Sequence, residues 1–130
     1  MKYQTIPYRT RNGSCPVREF IFDLNPKDRE KLLRALMLLE HFGLGVGAPL
    51  IKHLDSGIFE VRSHVGNNHQ RVLLFHWHEN YLVLLHGFTK KTQKTPPLEI
   101  ERAKRYRADF LIRYSTDRIL EILAEEEKQS

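Results

Sequence analysis

The chain has 130 residues, 41% hydrophobic and 28% charged, a composition that fits one ordinary globular domain and excludes a disordered or fibrous chain. Twenty-one Lys and Arg against 16 Asp and Glu leave a net charge of +5, which favours polyanionic partners such as nucleic acid. The single cysteine, Cys15, rules out an intrachain disulfide and a Cys-based zinc site, and the longest apolar run falls far short of the ~18 residues of a membrane span.

Tyr3 to Arg9 has the content of a strand, and Arg11-Asn12-Gly13-Ser14 is a turn cluster. Pro16 opens a short helix through Phe20, Ile21 and Leu24. Asn25 then reads as an N-cap, Pro26 as the first helical position, and Asp28 lies where the helix dipole favours an acid. Leu32, Leu33, Leu36 and Leu39 follow at helical spacing and Gly43 ends the run, so residues 16–42 read as an amphipathic helical hairpin that covers a core. Gly43 to Pro49 reads as a loop. Three strands are expected next, over Ile58 to Val65, Arg71 to His78 and Tyr81 to Phe88, with a turn at Gly66-Asn67-Asn68. A two-residue hairpin at Glu79-Asn80 would set Leu73 opposite His86 and Arg71 opposite Phe88. Arg71, Leu73, Phe75 and Trp77 would then share a face with Leu82, Leu84, His86 and Phe88. Thr95-Pro96 reads as the cap and first position of a helix with an apolar stripe of Ile100, Ala103, Phe110 and Leu111, and a last helix is expected over about Thr116 to Glu126.

The positive surplus is local. Residues 50–94 carry 6 basic and 3 acidic side chains and six of the seven histidines, whereas residues 95–130 carry 7 basic and 8 acidic. Arg62 and Arg71 fall on neighbouring strands, where guanidinium groups can grip a phosphate through paired hydrogen bonds. Lys90, Lys91 and Lys94 follow as point charges along a polyanion, and a helix N-terminus comes after them. Trp77, Tyr81 and Phe88 could stack on bases, but large aromatics on a sheet more often fill the core. His76 and His78 would lie about 7 Å apart on a strand, with His69 or His64 as a third metal ligand. No compact metal motif is present, and neither metal nor cofactor is expected. RNA cleavage without metal needs a base for the 2′-OH, cations for the phosphorane and an acid for the departing oxygen. His86, His64, Lys52 and Glu60 are the available proton carriers.

Leu50-Ile51-Lys52-His53-Leu54, Gly57-Ile58-Phe59-Glu60-Val61-Arg62 and Arg71-Val72-Leu73-Leu74-Phe75 resemble the central blocks of HigB-type toxins, in the phage-derived branch of the RelE/ParE superfamily. The run from Leu84 through Pro96, with Glu99-Ile100-Glu101-Arg102-Ala103 after it, resembles the C-terminal block of that family. The resemblance implies an α+β fold: a small twisted, mainly antiparallel sheet of about four strands with an N-terminal helical hairpin and C-terminal helices. It covers about residues 3–112 of a single domain spanning 1–130, with residues 113–130 as a helical extension. It further implies the toxin of a type II toxin–antitoxin module, a cytoplasmic, metal-independent endoribonuclease that cuts mRNA on the ribosome. The implied partner is a HigA-like antitoxin with a helix-turn-helix domain, through which alone operator DNA would be contacted. Arg71 and Arg62 match the family's phosphate-binding positions. Lys52, Lys90, Lys91 and Lys94 match its basic positions, the last three as RNA-binding residues. His86, Glu60 and Lys52 are the proton-transfer candidates, in that order. Two other functions remain open for such a fold: a ParE-like inhibitor that binds DNA gyrase, and an inactive member that binds only antitoxin and operator.

Overall fold

The computed structural model describes residues 2–91, 94–114 and 116–129. Its centre is one five-stranded sheet, ordered β1 (Gln4–Pro7), β5 (Tyr81–Lys90), β4 (Asn68–Trp77), β3 (Ile58–Val65) and β2 (Ile51–Asp55). β1 runs parallel to β5 and every other pairing is antiparallel, so the α+β, mainly antiparallel architecture stands with one strand more than expected. The added strand is β2, an edge segment with a mixed pattern of burial.

One face of the sheet is covered by α1 (Pro16–Asp23) and α2 (Pro26–Phe42). Asn25 caps α2 by accepting from the Asp28 backbone N–H at 2.9 Å. The Asp28 side chain is itself buried and accepts from Asn68 and Gln70 of β4, which ties the helix start to the sheet. Leu32, Leu36 and Leu39 pack on Val61, Val72, Leu74, Leu82 and Leu84. Leu33, one residue out of phase, is exposed. β5 approaches α1 so closely that a Cβ on Gly87 would lie 2.3 Å from the Phe20 ring, which makes glycine a packing requirement there.

The opposite face carries α3 (Pro97–Arg113), whose Ala103 and Phe110 pack on Leu73, Phe75, Trp77, Val83 and Leu85. Leu111, expected in this stripe, faces solvent instead. Asp109 fastens the far end of α3 to the first strand by accepting from the Tyr8 hydroxyl at 2.6 Å and pairing with Arg113 at 2.7 Å. Burial, then Asp109, pushes the Tyr8 phenol up to about 12. α4 (Thr116–Gln129) follows, ending three residues later than its sequence pattern suggests.

The β4–β5 hairpin departs from the expected register in an informative way. His69 to Leu73 pair with Lys90 to His86 as expected, so Leu73 does face His86 and Arg71 faces Phe88. Between Leu73 and Leu74 the ladder shifts by one residue, and Leu85 is the extra residue of a β-bulge. Beyond it Trp77 faces Tyr81, and the turn is His78-Glu79-Asn80, with left-handed φ values of 45° and 46° at His78 and Glu79. Leu82 and Leu84 therefore face α1 and α2, while Leu85, His86 and Phe88 share the α3 side with Leu73 and Phe75. Unbroken alternation from Leu82 would have sent Lys90 to the α2 side.

Candidate nucleic-acid interface

Past the reach of α3, its face of the sheet becomes polar. Strand pairing sets its side chains in three cross-strand rows, since i and i+2 share a face. The first row is Lys52, Glu60, Leu73 and His86 on β2 to β5. The second is Arg62, Arg71 and Phe88, and the third is His64, His69 and Lys90. Five of the eight predicted site residues thus meet on one ledge: Lys52, Glu60, Arg62, Arg71 and Lys90.

Glu60 is the hub. Its carboxylate is fully buried, with Arg71 Nε at 3.4 Å and Arg62 Nε at 3.5 Å from Oε1, and the Thr95 hydroxyl donates to Oε2. Thr95 was expected to cap the next helix; it serves Glu60 instead, and α3 starts one residue later with no side-chain cap. Arg71 is anchored by donating from Nη1 to the Gln70 carbonyl at 2.9 Å. The Nε atoms of Arg62 and Arg71 are buried, yet neither has an acceptor in hydrogen-bonding geometry among the described residues. Burial followed by the neighbouring charge of Arg62 lowers the Arg71 pKa, while Glu60 opposes that shift. Burial also lowers the Lys90 ammonium, again opposed by Glu60. A buried carboxylate amid several cations leaves a surplus of positive charge and of N–H donors, the requirement for an anionic ligand.

Two open grooves meet at the arginine pair. One, of about 500 Å³, runs between α2 and the end of β3, with Ala35, Leu38, Pro49 and Leu50 as an apolar wall and Lys31, Arg34, His64, His69, Arg62 and Arg71 as its basic lining. The other, of about 570 Å³, lies on the β5 side and is lined by Lys90 and Lys91 with Asn68, His69, Arg62 and Arg71. Lys91 is exposed at its rim, and Lys94 is exposed further along the connector. The Lys31 and Arg34 contribution from α2 was missed in the sequence, because nothing local shows which strand a helix face will meet.

His86 ends the first row but is shut off from this ledge. It is 2% exposed under the start of α3, with Nε2 3.5 Å from Glu99 and its ring edge-on to Tyr106. Burial, then the charge of Arg102, pushes its pKa down to about 4, so it is neutral at neutral pH. His78 has left the strand for the turn, and no group of three or more metal-ligating side chains occurs among the described residues. No helix among those residues is long and apolar enough to cross a membrane.

A twisted sheet with a helical hairpin on one face, a helix on the other and a cationic ledge beside it defines a RelE-like toxin fold. The family described as phage-derived protein Gp49-like (DUF891) matches residues 19–108, and the chain belongs to this family of HigB-type toxins. It is 38% identical over 97 residues to a protein named "Probable endoribonuclease HigB1" in two strains of Mycobacterium tuberculosis, CDC 1551 / Oshkosh and ATCC 25618 / H37Rv. The match covers 74% of this chain and 75% of each relative.

Proposed function

We propose that this protein is an endoribonuclease toxin that cleaves mRNA on the translating ribosome and is held inactive by a HigA-like helix-turn-helix antitoxin. The observation that carries the reading is the Arg62–Arg71 pair, two guanidinium groups that share the single buried carboxylate of Glu60 where two grooves join. A scissile phosphodiester set there would take both guanidinium groups on its non-bridging oxygens, with one flanking nucleotide in each groove. Lys90, Lys91 and Lys94 would hold the backbone on one side, and Lys52 lies at the opposite edge of the ledge. As the bond angles become those of a phosphorane the extra negative charge falls on oxygens already facing fixed cations, which is where preorganised charge lowers a barrier most. Glu60 would aim the arginines rather than accept the substrate's proton, because it is fully buried and already engaged by Arg62, Arg71 and Thr95. Operator DNA would be reached only through the antitoxin, and the action would be cytoplasmic.

The test is induction of the wild type and of Arg71→Ala, with growth followed and transcript ends mapped in the same cells. Growth arrest with new ends inside reading frames is expected for the wild type and not for the variant. Intact transcripts together with gyrase-dependent DNA damage would instead assign a ParE-like role, and harmless overexpression an inactive one.

A further inference from the structure

His64 and His69 take no part in the phosphate grip, yet they form the row next to it. They are direct partners across the β3–β4 hairpin, whose turn is Gly66-Asn67, and their rings stack with centroids 5.3 Å apart and an interplanar angle of 27°. Each stands two residues along its strand from an arginine of the pair, about 7 Å away on the same face. Both line the groove on the α2 side, and His69 also lines the one on the β5 side. Unlike His86, His64 is exposed and His69 half-buried, so a nucleotide can reach them.

We propose that His69 and His64 are the proton-transfer pair of this endoribonuclease, a role that rests on the RNA-cleaving reading of the arginine ledge. His69 takes the proton of the 2′-OH as that oxygen bonds to the adjacent phosphorus. The bond from phosphorus to the 5′-oxygen breaks, and His64 gives a proton to that leaving oxygen. The products are a 2′,3′-cyclic phosphate and a 5′-hydroxyl, with one proton taken up and one delivered, so no outside reactant is needed. A base must be neutral before the reaction. Desolvation holds His69 below the usual histidine value, and so do the charges of Arg71, His64, Lys90 and Arg62 on β3, β4 and β5. Lys31 and Arg34 of α2 face the same groove, Arg34 being paired with Glu30 at 2.7 Å, and Glu60 is the carboxylate set against Arg62 and Arg71.

The experiment compares wild type, His69→Gln, His64→Gln and the surface control His41→Gln on a defined mRNA, alone and in programmed ribosomes. Cleavage rate is followed against pH and the product ends are identified. Each ledge variant should lose about 100-fold or more in kcat with KM within about threefold. The wild-type rate should fall at acid pH as His69 takes up a proton, and that acid limb should flatten in His69→Gln. Added imidazole should restore part of the rate to His69→Ala. A substrate with 2′-deoxyribose at the cut site should bind to wild type and His69→Gln alike and stay intact. Unchanged rates in both variants with the acid limb kept in His69→Gln, or cleavage of the deoxy substrate, would overturn the assignment while leaving the endoribonuclease reading standing. A wild type that cuts no RNA in either format would overturn that reading and this one with it.

Discussion

The two ends of the α3-side face are made from the same strands and yet are opposites. At one end Phe75, Trp77 and Phe110 meet edge to face under α3, with ring centroids 5.2 to 5.8 Å apart. At the other, Arg62, Arg71 and Lys90 surround a single buried carboxylate and open onto two grooves. The first end is held by apolar surface removed from water, the second by charge pairing in which cations outnumber the acid. Leu73, His86 and Phe88 lie at the border. The contrast shows how a small protein separates what folds it from what binds: the helix covers the apolar end of the sheet, and the remainder carries charges that a substrate can complete.

Substitutions on either side of that border should separate the two properties. Phe110→Ala removes a fully buried ring from the apolar end and should cost about 3–5 kcal/mol in urea unfolding. The residual folded protein should still bind a 2′-deoxy-substituted RNA oligonucleotide. Arg71→Ala should do the reverse, lowering the cleavage rate by about 100- to 1,000-fold while circular dichroism retains the folded spectrum. If Arg71→Ala cuts RNA at the wild-type rate, the charged end is not the site. The border residue His86 predicts a pH effect. Its folded pKa of about 4 lies below the ordinary histidine value of 6.5, so the unfolded chain binds the proton more readily. Stability contributed by the neutral ring is therefore present above 6.5 and lost as pH falls from there to about 4, by at most about 3 kcal/mol. His86→Phe should flatten that slope in urea midpoints measured across the window, and a slope unchanged in the variant would assign it to other groups. The smallest effect is expected at Gly87→Ala, where the added methyl presses on Phe20 and should cost about 1–3 kcal/mol by the same measurement, with the kinetics of the opposite face unaltered.

Much of this arrangement was legible in the sequence, and the misses have physical causes. Arg62 could be placed because Phe59 and Val61 alternate with Glu60, Arg62 and His64, and Arg71 because it follows the turn at Gly66-Asn67-Asn68. The Asn25-Pro26 start of α2 could be placed because cap, proline and first-turn acid agree. β2 escaped because Ile51-Lys52-His53-Leu54-Asp55 is a short edge with one buried residue and no apolar alternation. The bulge escaped because Leu82-Val83-Leu84-Leu85 is apolar on both faces, so nothing in it marks a change of phase. His86 was ranked first as a proton carrier because side-chain chemistry is visible in a sequence and depth is not. The stacking of His64 on His69 follows from the turn at Gly66-Asn67, which sets Arg62 against Arg71 in the same register. Setting that turn one residue differently leaves the two histidines unrelated.

The bulge at Leu85 has a consequence for how the chain tolerates changes of length. Insertions and deletions are ordinarily confined to surface loops, since losing one residue from a regular strand turns every later side chain to the wrong side. β5 is different, because Leu85 is supernumerary. Removing it would restore simple alternation from Leu84 to His86 and leave Gly87 against Phe20, Phe88 on the α3 side and Lys90 on the ledge. The most buried strand of the fold thus contains one position where the chain can be shortened without readdressing its neighbours, and the expected loss is confined to the packing of a single leucine.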